Sequence, residues 1–290
     1  MPPLSIWITQ ALNALSTGTL LILIVAGLSF VAGMMKVINI AHAAFYMLGA
    51  YIGFSVLHWT QNFWVAALLA PLGVGVLGLL IEVSAIRPLY RRDPLYTLLL
   101  TLGLTLVLIQ LVRVFWGSQI HSIATPAFAQ GMANLAGILY PKYRLFILLF
   151  SGVVTLAVWL FLARTEMGLV VRAGTYDPEM VNALGTNISR VFTLVFAFGA
   201  ALAALAGVLV GPLTSAYPEM GIEIIIDAFV VLVIGGMGSF KGAVIGSLVV
   251  GLAASFGAAI WPGLARGAIF LLMALVLLVR PTGLFGEAEL

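Results

Sequence analysis

Cysteine is absent from this chain, and charge is scarce: only 8% of its 290 residues are Asp, Glu, Lys or Arg. The first absence excludes disulfides, thiolate metal sites and cysteine nucleophiles. The second excludes a water-soluble globule, which carries about 25% charged residues. Only three histidines occur, His42, His58 and His121, and they fall in different segments, so they suggest no shared acid–base site. No HExxH, GxSxG or paired-carboxylate motif is present, which leaves an enzymatic reading without chemistry. No Lys or Arg precedes Lys36, so the opening apolar stretch lacks the basic flank of a secretory signal and is expected to be a retained span.

The remainder is oil. Hydrophobic residues make up 63% of the chain and the mean hydropathy is +1.19. The apolar runs approach the ~20 residues that cross a bilayer as helix. In order they are Leu12–Ala32, Val37–His58, Phe63–Ala85, Leu95–Phe115, Tyr143–Ala163, Val191–Gly211, Ile224 to about Gly238, Gly242–Ile260 and Leu264–Val279. The expected fold class is all-α: a polytopic integral membrane protein of roughly 8–10 transmembrane helices, allowing for short or re-entrant segments. It is expected to form one transmembrane domain over residues 1–290. If the N-terminus is outside and nine segments alternate, Lys36, Arg87, Arg91, Arg92, Arg164, Arg172, Arg190, Lys241 and Arg280 face inside. Arg113, Lys142, Arg144 and Arg266 then face outside, and this 9-to-4 division of the 13 basic residues places the C-terminus in the cytoplasm.

The longest mixed-charge interruption is 165–190. It contains a short helix with both ends written in. Asp177 is an N-cap, Pro178 suits the first helical position, and Glu179 adds negative charge to the first turn. Met180, Val181, Ala183 and Leu184 supply apolar surface, and Gly185 suits a left-handed C-terminus. Two turns of helix cannot hold themselves in water, so this element is expected to dock onto a partner, the plainer alternative being an ordinary loop.

Other motifs carry less. Gly73-Val74-Gly75-Val76-Leu77-Gly78 matches a dinucleotide fingerprint but lies inside an apolar span without a βαβ context. The run from Gly235 to Gly242 looks like a phosphate loop, yet Phe240 precedes Lys241 and Gly242 follows it, so the chain has no ATP site of its own. Small residues at Gly199, Ala203, Gly207 and Gly211, and at Gly238, Gly242 and Gly246, read instead as helix-packing stripes. Polar residues within spans are the better functional leads. Asn39 and His42 share a face if helical, in a stretch that is alternatively unwound; they line a translocation path or bond between helices. Asp227, with Glu223, flanks the short seventh segment and reads as path lining or as a solvated interface position. Glu82 either snorkels or pairs with Arg87.

Several stretches together carry a resemblance. Gly33 to Gly53, GMMKVINIAHAAFYMLGAYIG, resembles the N-terminal signature of bacterial branched-chain amino acid ABC transporter permeases. Arg87-Pro88-Leu89, the segment Arg172 to Gly211, GGMGSFKGAVIGSLVVG and Val279 to Gly286 resemble further parts of that family. The chain is more similar to the shorter, LivH-type permease than to its longer counterpart. The resemblance implies a pair of permease subunits, this one with a homologue or with itself, in a bacterial inner membrane. It also implies two cytoplasmic ATPases that bring ATP and Mg, and a periplasmic or extracellular substrate-binding protein. No cofactor is expected on this chain itself. The family's coupling helix falls on Asp177–Gly185. Gly33–Phe54 and Gly235–Phe256 are candidate counterparts in an inverted repeat. After Asn39-Ile40-Ala41-His42 the family often has Gly and a small polar or acidic residue, whereas Ala43-Ala44-Phe45 stands here. Branched-chain or other hydrophobic amino acids are the expected cargo, with urea, short amides or aromatic carboxylates as alternatives. From another class, a stand-alone channel or secondary transporter is the rival reading.

Overall fold

In the computed structural model, residues 4–286 are described except 91, 136 and 261. Arg91, counted above among the inside charges, therefore lies outside the described residues.

The first helix, α1 (Leu4–Met35), is the axis of the bundle. Within its most apolar 18-residue stretch, 94% of the residues are buried, against 22% for the equally apolar stretch in Phe63–Leu89. It packs against α10 (Phe240–Ile260), α8 (Ile188–Thr214) and α5 (Lys142–Arg164). Around this core stand α2 (His42–Thr60), α3 (Phe63–Ile81), α4 (Pro94–Trp116), α9 (Met220–Gly235) and α11 (Ala265–Val279). α3 starts where the Asn62 side chain accepts from the amides of Trp64 and Val65. It runs on through a π-helical turn, Glu82–Ile86, into a 3-10 turn, Arg87–Leu89. α4 starts at Asp93, whose carboxylate accepts from Leu95, with Pro94 in the first turn.

All nine apolar segments expected from the sequence contain a helix. Among the described residues, six helices are both long and apolar enough to span: α1, α3 with its extension, α4, α5, α8 and α10. α9 and α11 have only 16 and 15 residues, and α2 is diluted by His42, Tyr46, Tyr51 and His58. The polar segment after α5 holds two helices, α6 (Glu166–Tyr176) and α7 (Pro178–Ala183). Only α7 was legible from capping signals. Thr165, which caps α6 by accepting from Gly168, is the signal that reveals the other. A small antiparallel hairpin, β1 (Met132–Leu135) with β2 (Ile138–Pro141), interrupts the loop before α5.

Contacts between distant residues sort into two ends of the bundle. At one end Gly33, Thr175 and Gly238 meet, Arg87 reaches Thr193, and Gly236 lies on Gly286. At the other, Trp116 donates to Ser55 at 2.7 Å, His121 and Ala216 bridge backbones, Arg113 pairs with Glu219, and Arg144 reaches Asn13.

Candidate functional site

The centre of interest is the break between α1 and α2. α1 ends at Met35; Lys36 after it is left-handed at φ 50°, and the chain stays non-helical until His42. A continuous second span from Val37 is therefore corrected: Asn39 sits in the break and His42 opens α2, so the two do not share a helical face. Thr101 and Ile24 hold the break, the Thr101 hydroxyl lying 3.4 Å from the Ile38 carbonyl. Ile40 donates its amide to Thr101 Oγ1 of α4 at 3.3 Å, and the same hydroxyl lies 3.1 Å from the Leu98 carbonyl. His42 Nε2–H donates to the Ile24 carbonyl at 2.9 Å. Since Ile24 is eleven residues before the end of α1, α2 begins well inside the bundle rather than at its edge.

Asn39 is 1% exposed, and neither its amide oxygen nor its amide nitrogen has a hydrogen-bond partner among the described residues. A buried polar group without partners costs stability, so a native one calls for a reason. The first turn of α9 closes the other side, because a Cβ on Gly221 would lie 2.5 Å from the Ala43 carbonyl. Asp227, two turns further along α9, is half-buried and has Arg266 and Glu223 as charged neighbours. Of the three residues read as one path from sequence, Asn39 lies in the break, His42 opens α2 and Asp227 stands on α9. Glu223 accepts from the Tyr217 hydroxyl at 2.9 Å; burial, then this bond, push the Tyr217 phenol above its usual range.

The second focus is α6 and α7. Asp177 Oδ1 accepts from the Met180 amide at 2.9 Å, and Gly185 turns left-handed at φ 92° while Thr186 donates back to the Val181 carbonyl. Pro178 is half-buried; Glu179 and Ala183 are exposed, as are Met180 and Leu184 at 57% and 79%. α7 therefore presents apolar side chains outward. α6 faces the other way. Gly174 lies against Met34, and Thr175 against Gly33 and Gly238, so α6 seats on the last turn of α1 directly before the break.

The glycines take varied places. Gly199 touches Gly27 of α1, and Gly207 lies against the Tyr46 carbonyl of α2. Gly211 meets the Ile123 side chain of a loop, not a helix. Gly242 and Gly246 lie against Gly235 and Val231 of α9. Gly238 does not belong to that stripe: it occupies the turn between α9 and α10 at φ 80°, because α10 starts only at Phe240. Gly75 and Gly78, from the dinucleotide-like motif, pack inside a helix against Ala201 and Ala200 of α8.

Sequence reasoning underrated one group. Glu82 is 0% exposed and forms a two-point ion pair with Arg87, with distances of 3.1 and 3.3 Å, while Tyr90 also donates to it. Arg87 bonds Thr193 in the second turn of α8, and Tyr90 meets Phe192 edge to face. Of the two readings the sequence left open for Glu82, the pair with Arg87 is the one formed, and the π-helical turn brings these side chains, five residues apart, together.

A central broken helix, an interior start to α2 and a capped helix projecting at one end define a polytopic α-helical membrane protein of the permease class. Residues 10–279 match the family described as branched-chain amino acid transport system, permease component, and the chain belongs to that family. It is 34% identical to the high-affinity branched-chain amino acid transport system permease protein BraD of Pseudomonas aeruginosa, over 100% of this chain and 99% of the relative. Against the LivH permease protein of the same description from Escherichia coli K12 the identity is 32%, over 98% and 96%. A probable LivH of Methanocaldococcus jannaschii is 27% identical over 94% and 91%. A permease subunit is a transport component and not itself a catalyst of covalent chemistry.

Proposed function

We propose that this chain is the membrane-spanning subunit of an ABC importer that moves branched-chain or other hydrophobic amino acids inward by alternating access. It pairs with a homologous permease or a second copy, in a bacterial inner membrane with its C-terminus in the cytoplasm. Two cytoplasmic ATPases, carrying ATP and Mg, dock on the face formed by Asp177, Pro178, Glu179, Met180, Ala183, Leu184 and Gly185. A periplasmic or extracellular binding protein delivers the solute. The observation that carries this reading is the seating of α6 on Gly33 and Met34. A force applied to α7 passes through α6 to the end of α1, and so to the break that holds Asn39 and His42. In one state Asn39 is sealed; in the other it faces the solute. Alternating access requires that partners bind these two states unequally.

The test is native mass spectrometry of the protein gently extracted from its host membrane, followed by ATP-dependent uptake in vesicles. Recovery of a second permease and two ATPases, with leucine uptake that requires the binding protein, is the expected result. A homo-oligomer without ATPases that carries solute down an ion gradient would overturn it in favour of a secondary transporter. Recovery of the complex with transport of amides but not leucine would overturn the cargo alone.

A further inference from the structure

α5 and α10 both pack on α1, and a groove of about 350 Å³ remains between them. Its walls are apolar along most of their length, formed by Gly152, Leu156 and Trp159 on one side and Val244 and Ile245 on the other. The groove stays open at Gly152, where a Cβ would meet no atom within 4 Å. One end differs from the rest. Lys241 lines it, exposed and without a hydrogen bond or ion pair among the described residues, and Trp159 lies five residues before the equally unpaired Arg164. That end is the one where Gly238 meets Gly33 and Thr175, the edge of the bundle that carries α6 and α7.

We propose that this groove binds an anionic phospholipid, one acyl chain lying between α5 and α10 and the phosphate pairing with Lys241. The physical fit has three parts. An apolar trough open to the bilayer suits a hydrocarbon tail, and Trp159 suits the headgroup level where indole rings collect. An unpaired lysine at that level attracts negative lipid headgroups. A second copy packed symmetrically on this face would bring a second Lys241 and no carboxylate from the groove lining, which is costly. Free phosphate would use only the lysine and leave the trough empty, so the occupant is the lipid.

The test is native mass spectrometry of the full-length protein exchanged into mixed micelles of phosphatidylglycerol and phosphatidylcholine, counting retained lipid. Wild type is expected to hold phosphatidylglycerol preferentially, and Lys241→Gln to lose about fivefold of that preference. Lys241→Arg should retain it, which separates charge from any loss of folding. Gly152→Leu, which fills the groove, should lower retention of both lipids. Millimolar inorganic phosphate should displace neither. An unchanged preference in Lys241→Gln, displacement by phosphate, or a second subunit cross-linked across α5 and α10 in place of lipid would each overturn the proposal.

Discussion

Gly27 of α1 and Gly199 of α8 meet backbone to backbone, and the two are not equivalent: a Cβ on Gly27 would fall 2.6 Å from Gly199 Cα, while one on Gly199 meets nothing nearer than 3.1 Å. The first distance demands that the helices part, and the second only a shift of a few tenths of an ångström. Gly27→Ala should therefore destabilise by about 1–3 kcal/mol, the cost of overpacking a tight interface, and Gly199→Ala by clearly less. Thermal unfolding in detergent reads the difference, and equal losses would contradict the geometry.

Glu82 and Arg87 predict a second asymmetry, since Glu82 is fully buried while the Arg87 side chain is 35% exposed. Arg87→Ala strands a carboxylate in the bundle and should cost about 3 kcal/mol. Replacing both residues by Met should recover much of that loss, because no uncompensated charge remains. The measurement is the folded fraction of each variant in detergent, compared as a double-mutant cycle. A double variant worse than Arg87→Ala would count against an electrostatic origin.

Asn39 separates stability from transport. Its amide has no partner to lose, so Asn39→Ala should leave unfolding temperature unchanged or raised. If Asn39 meets the solute, uptake should fall at least tenfold in the same variant. A variant that transports normally removes Asn39 from the path.

At Gly185 the strain is conformational, since a side chain there has open space but must adopt φ 92°. Gly185→Val should cost about 1–2 kcal/mol at the end of α7 and uncouple ATP hydrolysis from uptake, with the subunit still folded. Gly185→Asn, which tolerates the left-handed region, should stay coupled. Asp177→Ala, losing the cap to Met180, should weaken α7 by about 1 kcal/mol. Hydrolysis and uptake measured together in vesicles check all three; full coupling in Gly185→Val would remove the assignment.

Much of this architecture is readable from the chain alone because its causes are local. Hydrophobic run length marks the helical segments, since a chain in lipid must satisfy its own backbone. Asp177, Pro178 and Gly185 mark α7 because capping is a matter of neighbouring residues. Family membership was legible from the likeness of several stretches taken together, among them Gly33–Gly53 and Arg172–Gly211.

The tertiary structure decided what depends on residues far apart in sequence. It placed α1 at the centre, although its composition matches that of the lipid-facing helices. Burial all round and exposure to lipid both call for an apolar surface. It started α2 at His42 because the Ile24 carbonyl and Thr101 are there to receive the break. It joined Glu82 to Arg87 through a π-helical turn, and seated α6 on the end of α1. Hydropathy records only how much a residue dislikes water; which neighbour it meets is fixed by packing, and that exists only once the helices have assembled.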